Sequence, residues 1–149
     1  MAVRFFSDDV AFRPEGKRKM AQWLKEVTAK EGKKIGNLCY VFVSDEKILE
    51  INKKFLQHAY YTDIITFDDS ADNTISGEMY ISIDTVRANA NDYQTDFRNE
   101  LLRVMVHGVL HLCGYNDKTE NEQLRMRTLE AKYLDCWNEA VVSSVVKTL

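Results

Sequence analysis

Leu38-Cys39-Tyr40-Val41-Phe42-Val43 is an unbroken apolar run rich in strand-forming side chains. It is too short for a helix, and its lack of polar alternation predicts burial on both faces and a place inside a sheet. Upstream, Pro14 opens a lysine-rich amphipathic segment. Proline suits the first turn of a helix, so a helix is predicted over 14–30, ending near Gly32. Downstream, Ser44 or Asp45 can cap a second helix reaching about residue 55.

Working outward, 3–7 is a short strand of large apolar residues. Segments 63–67 and 77–83 are β-like and are separated by the polar stretch 68–74, as in a hairpin with a long loop. Asp84 can cap a helix through about residue 93, Asp96 another through about 112, and 120–137 has the apolar spacing of a last long helix. The expected product is an α+β fold, a mixed sheet of about four strands packed with helices. At 149 residues and 45% hydrophobic content, one domain spanning 1–149 is expected.

No run of about 18 apolar residues occurs, and the N-terminus carries Asp8 and Asp9 where a secretory signal needs a basic start and a long apolar stretch. A cytoplasmic protein with no membrane partner is expected. The net charge of −3 argues against coating nucleic acid by bulk electrostatics, and no DNA partner is expected. A local basic patch is a candidate around the first helix (Lys17, Arg18, Lys19, Lys25, Lys30, Lys33 and Lys34, with Lys53 and Lys54 further on), and a solvated helix face is the favoured reading of it. Cys39, Cys113 and Cys136 are odd in number and widely spaced, which indicates buried thiols and neither a disulfide framework nor a zinc knuckle. Cys113 lies beside the motif described next, where a ligand role is conceivable.

The chemistry is concentrated in Val104-Met-Val-His107-Gly-Val-Leu-His111-Leu-Cys-Gly114-Tyr-Asn-Asp117. On a helix His107 and His111 project from one face a turn apart and can reach one cation. Gly114 can end the helix at positive φ and turn the chain so that Asp117 approaches the same ion as third ligand, leaving a position open for water. Two imidazoles and a carboxylate suit Zn, Ni, Fe or Mn. The pattern His-x-x-x-His-x-x-Gly-x-x-Asp is similar to the long zinc motif of metzincin proteases. Those proteases need a glutamate directly after the first histidine as general base, and here that residue is Gly108. A base from elsewhere, such as Glu78 or Asp63, is then required.

Taken with Asn52-Lys-Lys-Phe-Leu-Gln-His-Ala-Tyr-Tyr-Thr62-Asp63-Ile-Ile-Thr-Phe67 and Gly77-Glu78-Met-Tyr-Ile-Ser82, the chain resembles the YbeY family of bacterial endoribonucleases over nearly its whole length. The resemblance implies an α+β fold, one divalent ion, usually zinc, and cleavage of single-stranded RNA. It further implies partnership with ribosomal RNA and the small ribosomal subunit, in 3′-end maturation and ribosome quality control. It puts His107, His111 and Asp117 on the metal. Two positions depart from the family pattern. Asp117 stands where a third histidine is common, and a carboxylate can take its place as ligand. Leu56 stands where many members carry an arginine for phosphate, which leaves Lys53, Lys54 or His58 as nearby sources of positive charge. A metalloprotease-like hydrolase and a non-catalytic ribosome-assembly factor with a structural metal are the alternatives.

Overall fold

The apolar run forms the C-terminal part of a longer strand, β2 (Lys34–Val43). The computed structural model describes residues 2–56 and 62–148, with side chains as far as residue 139. The other strands are β1 (Ala2–Ser7), β3 (Ile64–Asp68) and β4 (Thr74–Ser82), and the sheet order is β1-β2-β4-β3. β1 and β4 both run parallel to β2, whereas β3 runs antiparallel to β4. The sheet is therefore mixed and four-stranded, with β2 inside it and the β3–β4 hairpin at one edge.

Burial of β2 is unequal on its two faces. Leu38, Tyr40 and Phe42 are buried in the main core, against Met20, Leu24 and Val27 of α1 (Lys17–Lys30) and most of α4 (Phe97–Leu112). On the opposite face Val43 joins a smaller cluster with Ile48 and Ile51 of α2 (Asp45–Leu56) and Ile65 of β3, and Val41 stays half-buried. α3 (Ile83–Asp92) and α5 (Glu120–Thr148) complete the helices. α4 lies deepest. Its Met105 carbonyl accepts the buried Tyr40 hydroxyl at 2.9 Å, satisfying a polar group that the core would otherwise leave unpaired.

Several boundaries move. Helix α1 begins at Lys17, because the chain turns first at Gly16, which has φ 75°. β4 stops at Ser82, not Ile83, because the Ser82 hydroxyl caps α3 by accepting from Thr85 N at 3.2 Å. Asp84 is thus inside the helix, and its carboxylate accepts instead from Asp45 N at 3.0 Å. Asp96 caps α4 as expected, accepting from Asn99 N. α5 continues past Trp137 to Thr148, because an established helix propagates through a valine-rich stretch that would not nucleate one. The three cysteines are free but only half-buried. Cys39 shares the more thinly covered face of β2 with the half-buried Val41, whereas Cys113 at the end of α4 and Cys136 on α5 pack only partly against the main core. Among the described residues, no helix is long and apolar enough to cross a membrane.

Candidate metal centre

Helix α4 ends as its sequence requires. Gly114 takes φ 108°, its N–H donates to His111 O at 3.0 Å, and Tyr115 N donates to Leu110 O at 3.1 Å. This paired closure is a Schellman motif, and it needs a residue at ease with positive φ at Gly114. The chain leaving it is held by the Tyr115 hydroxyl, which donates to Glu31 at 2.6 Å. The Tyr133 hydroxyl also donates to Glu31, tying the loop to α1 and α5. Asp117 is thereby brought back over the last turn of the helix.

His107, His111 and Asp117 converge so that one ligand atom from each lies within 4.8 Å of the others. His107 Nε2 and His111 Nε2 are 3.0 Å apart, and each is 3.4 Å from Asp117 Oδ2. Ligand atoms around a tetrahedral ion with bonds of about 2.0–2.1 Å lie about 3.3 Å apart, so the spacing fits.

The other ring nitrogens decide the tautomers. His111 Nδ1 is 2.8 Å from the Tyr115 carbonyl, which can only accept, so Nδ1 carries the proton. His107 Nδ1 is 2.6 Å from Glu130 Oε2, and the buried carboxylate likewise takes an N–H. In the neutral rings both Nε2 lone pairs then point at each other beside a carboxylate. Such an arrangement can hold a cation, and the donor set fits a divalent one. Burial, the largest single influence on His107, disfavours its charged form, but Glu130, Asp63 and Asp117 outweigh it and hold its pKa above the ordinary value. Proton and metal ion therefore compete for this nitrogen.

Glu130 is 3% exposed and itself held in place. Arg103 Nη1 donates to it at 3.1 Å, while Nε and Nη2 grip the 1%-exposed Glu100 at 2.8 and 2.6 Å. Asp63 lies 3.6 Å from the same guanidinium. Sequence reading passed over Arg103, Glu100 and Glu130, although one signal was present: Met126, Glu130, Tyr133 and Trp137 share one stripe of α5, so an acid sits where the spacing calls for an apolar residue.

Two cavities meet at the cluster, and His107 and Asp117 line both. One, of about 660 Å³, is bordered by Asn52, Leu56, Asp63 and Lys118; the other, of about 540 Å³, lies toward α3 and α5. Leu56 faces the site where a family arginine was expected. Lys53 and Lys54 are on the exposed last turn of α2 but line neither cavity, and His58 lies outside the described residues. Of the two carboxylates considered as base, Asp63 lines the larger cavity. Burial raises its pKa, with Arg103 and His107 opposing the rise. Glu78 is turned elsewhere, beside Cys39 and Phe67, and takes the Tyr80 hydroxyl at 3.1 Å. Cys113 is not in the cluster; it is the α4 C-cap, and burial pushes its thiol up to about 11, leaving it neutral.

Gly108 explains why no glutamate follows the first histidine. A Cβ there would stand 2.6 Å from Met79 Sδ and 2.9 Å from Ile64 Cδ1, so this position packs on the sheet and has no room for a side chain.

Fold and site together define an α+β protein whose His-x-x-x-His helix and returning carboxylate form a place for a divalent cation. Residues 5–138 match the model of the family described as Endoribonuclease YbeY, and the chain belongs to that family. It is 48% identical over 134 residues to an Endoribonuclease YbeY from Parabacteroides distasonis, covering 90% of this chain and 94% of that one. Against the protein of the same name from Porphyromonas gingivalis the figures are 41% identity over 143 residues, 96% and 95%. The solution structure of TM1509 from Thermotoga maritima superposes with TM-score 0.67 at 26% identity, covering 96% of this chain and 93% of that one.

Proposed function

We propose that the chain is a metal-dependent endoribonuclease that cleaves single-stranded RNA in the cytoplasm, acts in ribosomal RNA 3′-end maturation and ribosome quality control, and works as one unit over residues 1–149. His107, His111 and Asp117 hold one ion; the donor set suits Zn, Ni, Fe or Mn, and family membership favours zinc among them. The observation that carries this reading is the pair of facing Nε2 atoms 3.0 Å apart, with both Nδ1 positions already committed. Family membership supports RNA as the substrate, and ribosomal RNA with the small subunit as its setting.

A divalent ion bound there supplies Lewis acidity toward a phosphodiester and a nucleophile at neutral pH. The chain's own residues do the rest. Glu130 and the Tyr115 carbonyl fix the two ring orientations, and Arg103 keeps Glu130 in place. Asp63 lines the cavity with a carboxyl made more basic by burial, and it is the residue we assign to proton acceptance. Peptidase chemistry of the metzincin kind is disfavoured, since the position of its base is packed against Met79 and Ile64.

The deciding experiment incubates metal-defined wild type and His111→Ala with ribosomal RNA and its precursor, and maps the ends by sequencing. Loss of both bound metal and cleavage in the variant is expected. Full cleavage by a verified metal-free wild type refutes the reading.

A further inference from the structure

The two cavities that meet at His107 and Asp117 differ in charge. Among the described residues, the larger is lined by Asp63, Asp68 and Asp117 against Lys118 alone. The smaller sets Arg103 and Arg127 against Asp117 and Glu130. A polyanion crossing the metal ligands meets less repulsion on the smaller side. Arg103 is spent on Glu100, Glu130 and Asp63, which leaves Arg127 as the cation of that cavity without an ion pair among the described residues.

The remaining lining has the features a nucleoside needs. Tyr93, just beyond the end of α3, is 64% exposed despite its large ring, so its face is open to stacking. Gln123 offers an amide that both donates and accepts, and the buried Met126 contributes an apolar surface. Single-stranded RNA is read in this way, by unstacked bases laid on aromatic faces and hydrogen-bonded at their edges. The volume of about 540 Å³ lies within the range of small-ligand sites.

We infer that the cavity between α3 and α5 is a nucleotide subsite next to the scissile bond: Tyr93 stacks one base, Gln123 contacts its edge, and Arg127 holds a phosphate. This rests on the endoribonuclease reading and adds that the enzyme selects the base on one side of the cut.

The test uses metal-loaded full-length protein and a fluorescently labelled, unstructured oligoribonucleotide pool of random sequence, with bound metal measured for every variant. Tyr93→Ser should lower kcat/KM by about 5- to 100-fold and flatten the base preference at one position relative to the cut, at unchanged metal content. Tyr93→Phe should keep both. Arg127→Gln should slow all sequences about equally and reduce the salt dependence by about one phosphate contact. If wild type cuts RNA and both Tyr93→Ser and Arg127→Gln match it in rate, cut positions and salt dependence, the subsite is refuted and the nuclease reading stands. A base preference moved by Lys118→Gln and untouched by Tyr93→Ser also refutes it, by placing selection in the other cavity. A wild type that cuts no RNA with any metal removes the reading and the inference together.

Discussion

Two groups of carboxylates position the helices, in opposite surroundings. At the sheet end where α2 and α3 start, Asp9 accepts from Ser44 N at 2.9 Å, Asp84 from Asp45 N at 3.0 Å, and Asp45 from the Ser82 and Thr85 hydroxyls, both at 2.5 Å. These partners are backbone N–H groups and hydroxyls at helix starts, where the macrodipole already favours an anion and water can supply what is missing. Behind the metal centre, Glu100 and Glu130 are almost wholly enclosed, and one guanidinium answers both. The contrast shows what burial demands. An exposed acid can rely on a helix end, whereas an enclosed pair needs a full opposite charge with matched geometry.

The largest test of that contrast is Arg103→Met, which keeps an unbranched apolar stem and removes the guanidinium and its charge. Two enclosed carboxylates lose their cation, and the cost should reach about 3–5 kcal/mol of unfolding free energy. Urea denaturation of metal-free protein measures it directly. A loss below about 1 kcal/mol would mean that the inner group is no more dependent on its cation than a surface pair.

Asp63→Asn probes the third acid beside Arg103, the one that opens to solvent. If Asp63 accepts the proton, turnover should fall about 100-fold or more while bound metal stays at the wild-type level. Wild-type turnover with the amide would leave Asp63 only a structural partner of Arg103.

Glu130→Gln separates structure from chemistry within the inner group. The amide can still meet His107 Nδ1 but no longer favours the correct tautomer with a charge. Metal affinity should weaken about 10- to 100-fold, as read by competition with a chelator. An unchanged affinity would show that the α4 helix alone orients the ring.

How far each group was legible in the sequence follows from the same physics. Helix caps are local signals: the α4 cap Asp96 was read correctly from its neighbours, and the α3 cap was misplaced only from Ser82 to Asp84. The metal triad was legible because a four-residue spacing and one glycine fix three side chains through backbone geometry. The inner group joins α4, α5 and the residue before β3 across the fold, so no local spacing announces it, and only the charge on the apolar stripe of α5 hinted at Glu130. The unequal cover of β2 was hidden for a related reason. An unbroken apolar run states that both faces avoid water, not how much protein lies on each.

The smallest effect is expected at the outer corner, and it is a pH effect. Burial is the largest single influence on Asp9 and pushes its pKa up, but hydrogen bonds from Ser44 and the charge of Lys47 together bring it below the usual carboxylate value. A carboxyl whose pKa is lower folded than unfolded contributes stability above its unfolded pKa. That contribution is lost as the pH falls through the folded value. Wild type should therefore lose a small increment of stability in the acid range below about pH 4, and Asp9→Asn should lack that increment while costing about 1 kcal/mol or less at neutral pH. Thermal unfolding from pH 7 down to pH 3, followed in both proteins, measures the difference. Parallel curves would mean that this exposed corner adds no charge-dependent stability, leaving the inner group as the one whose charges matter to the fold.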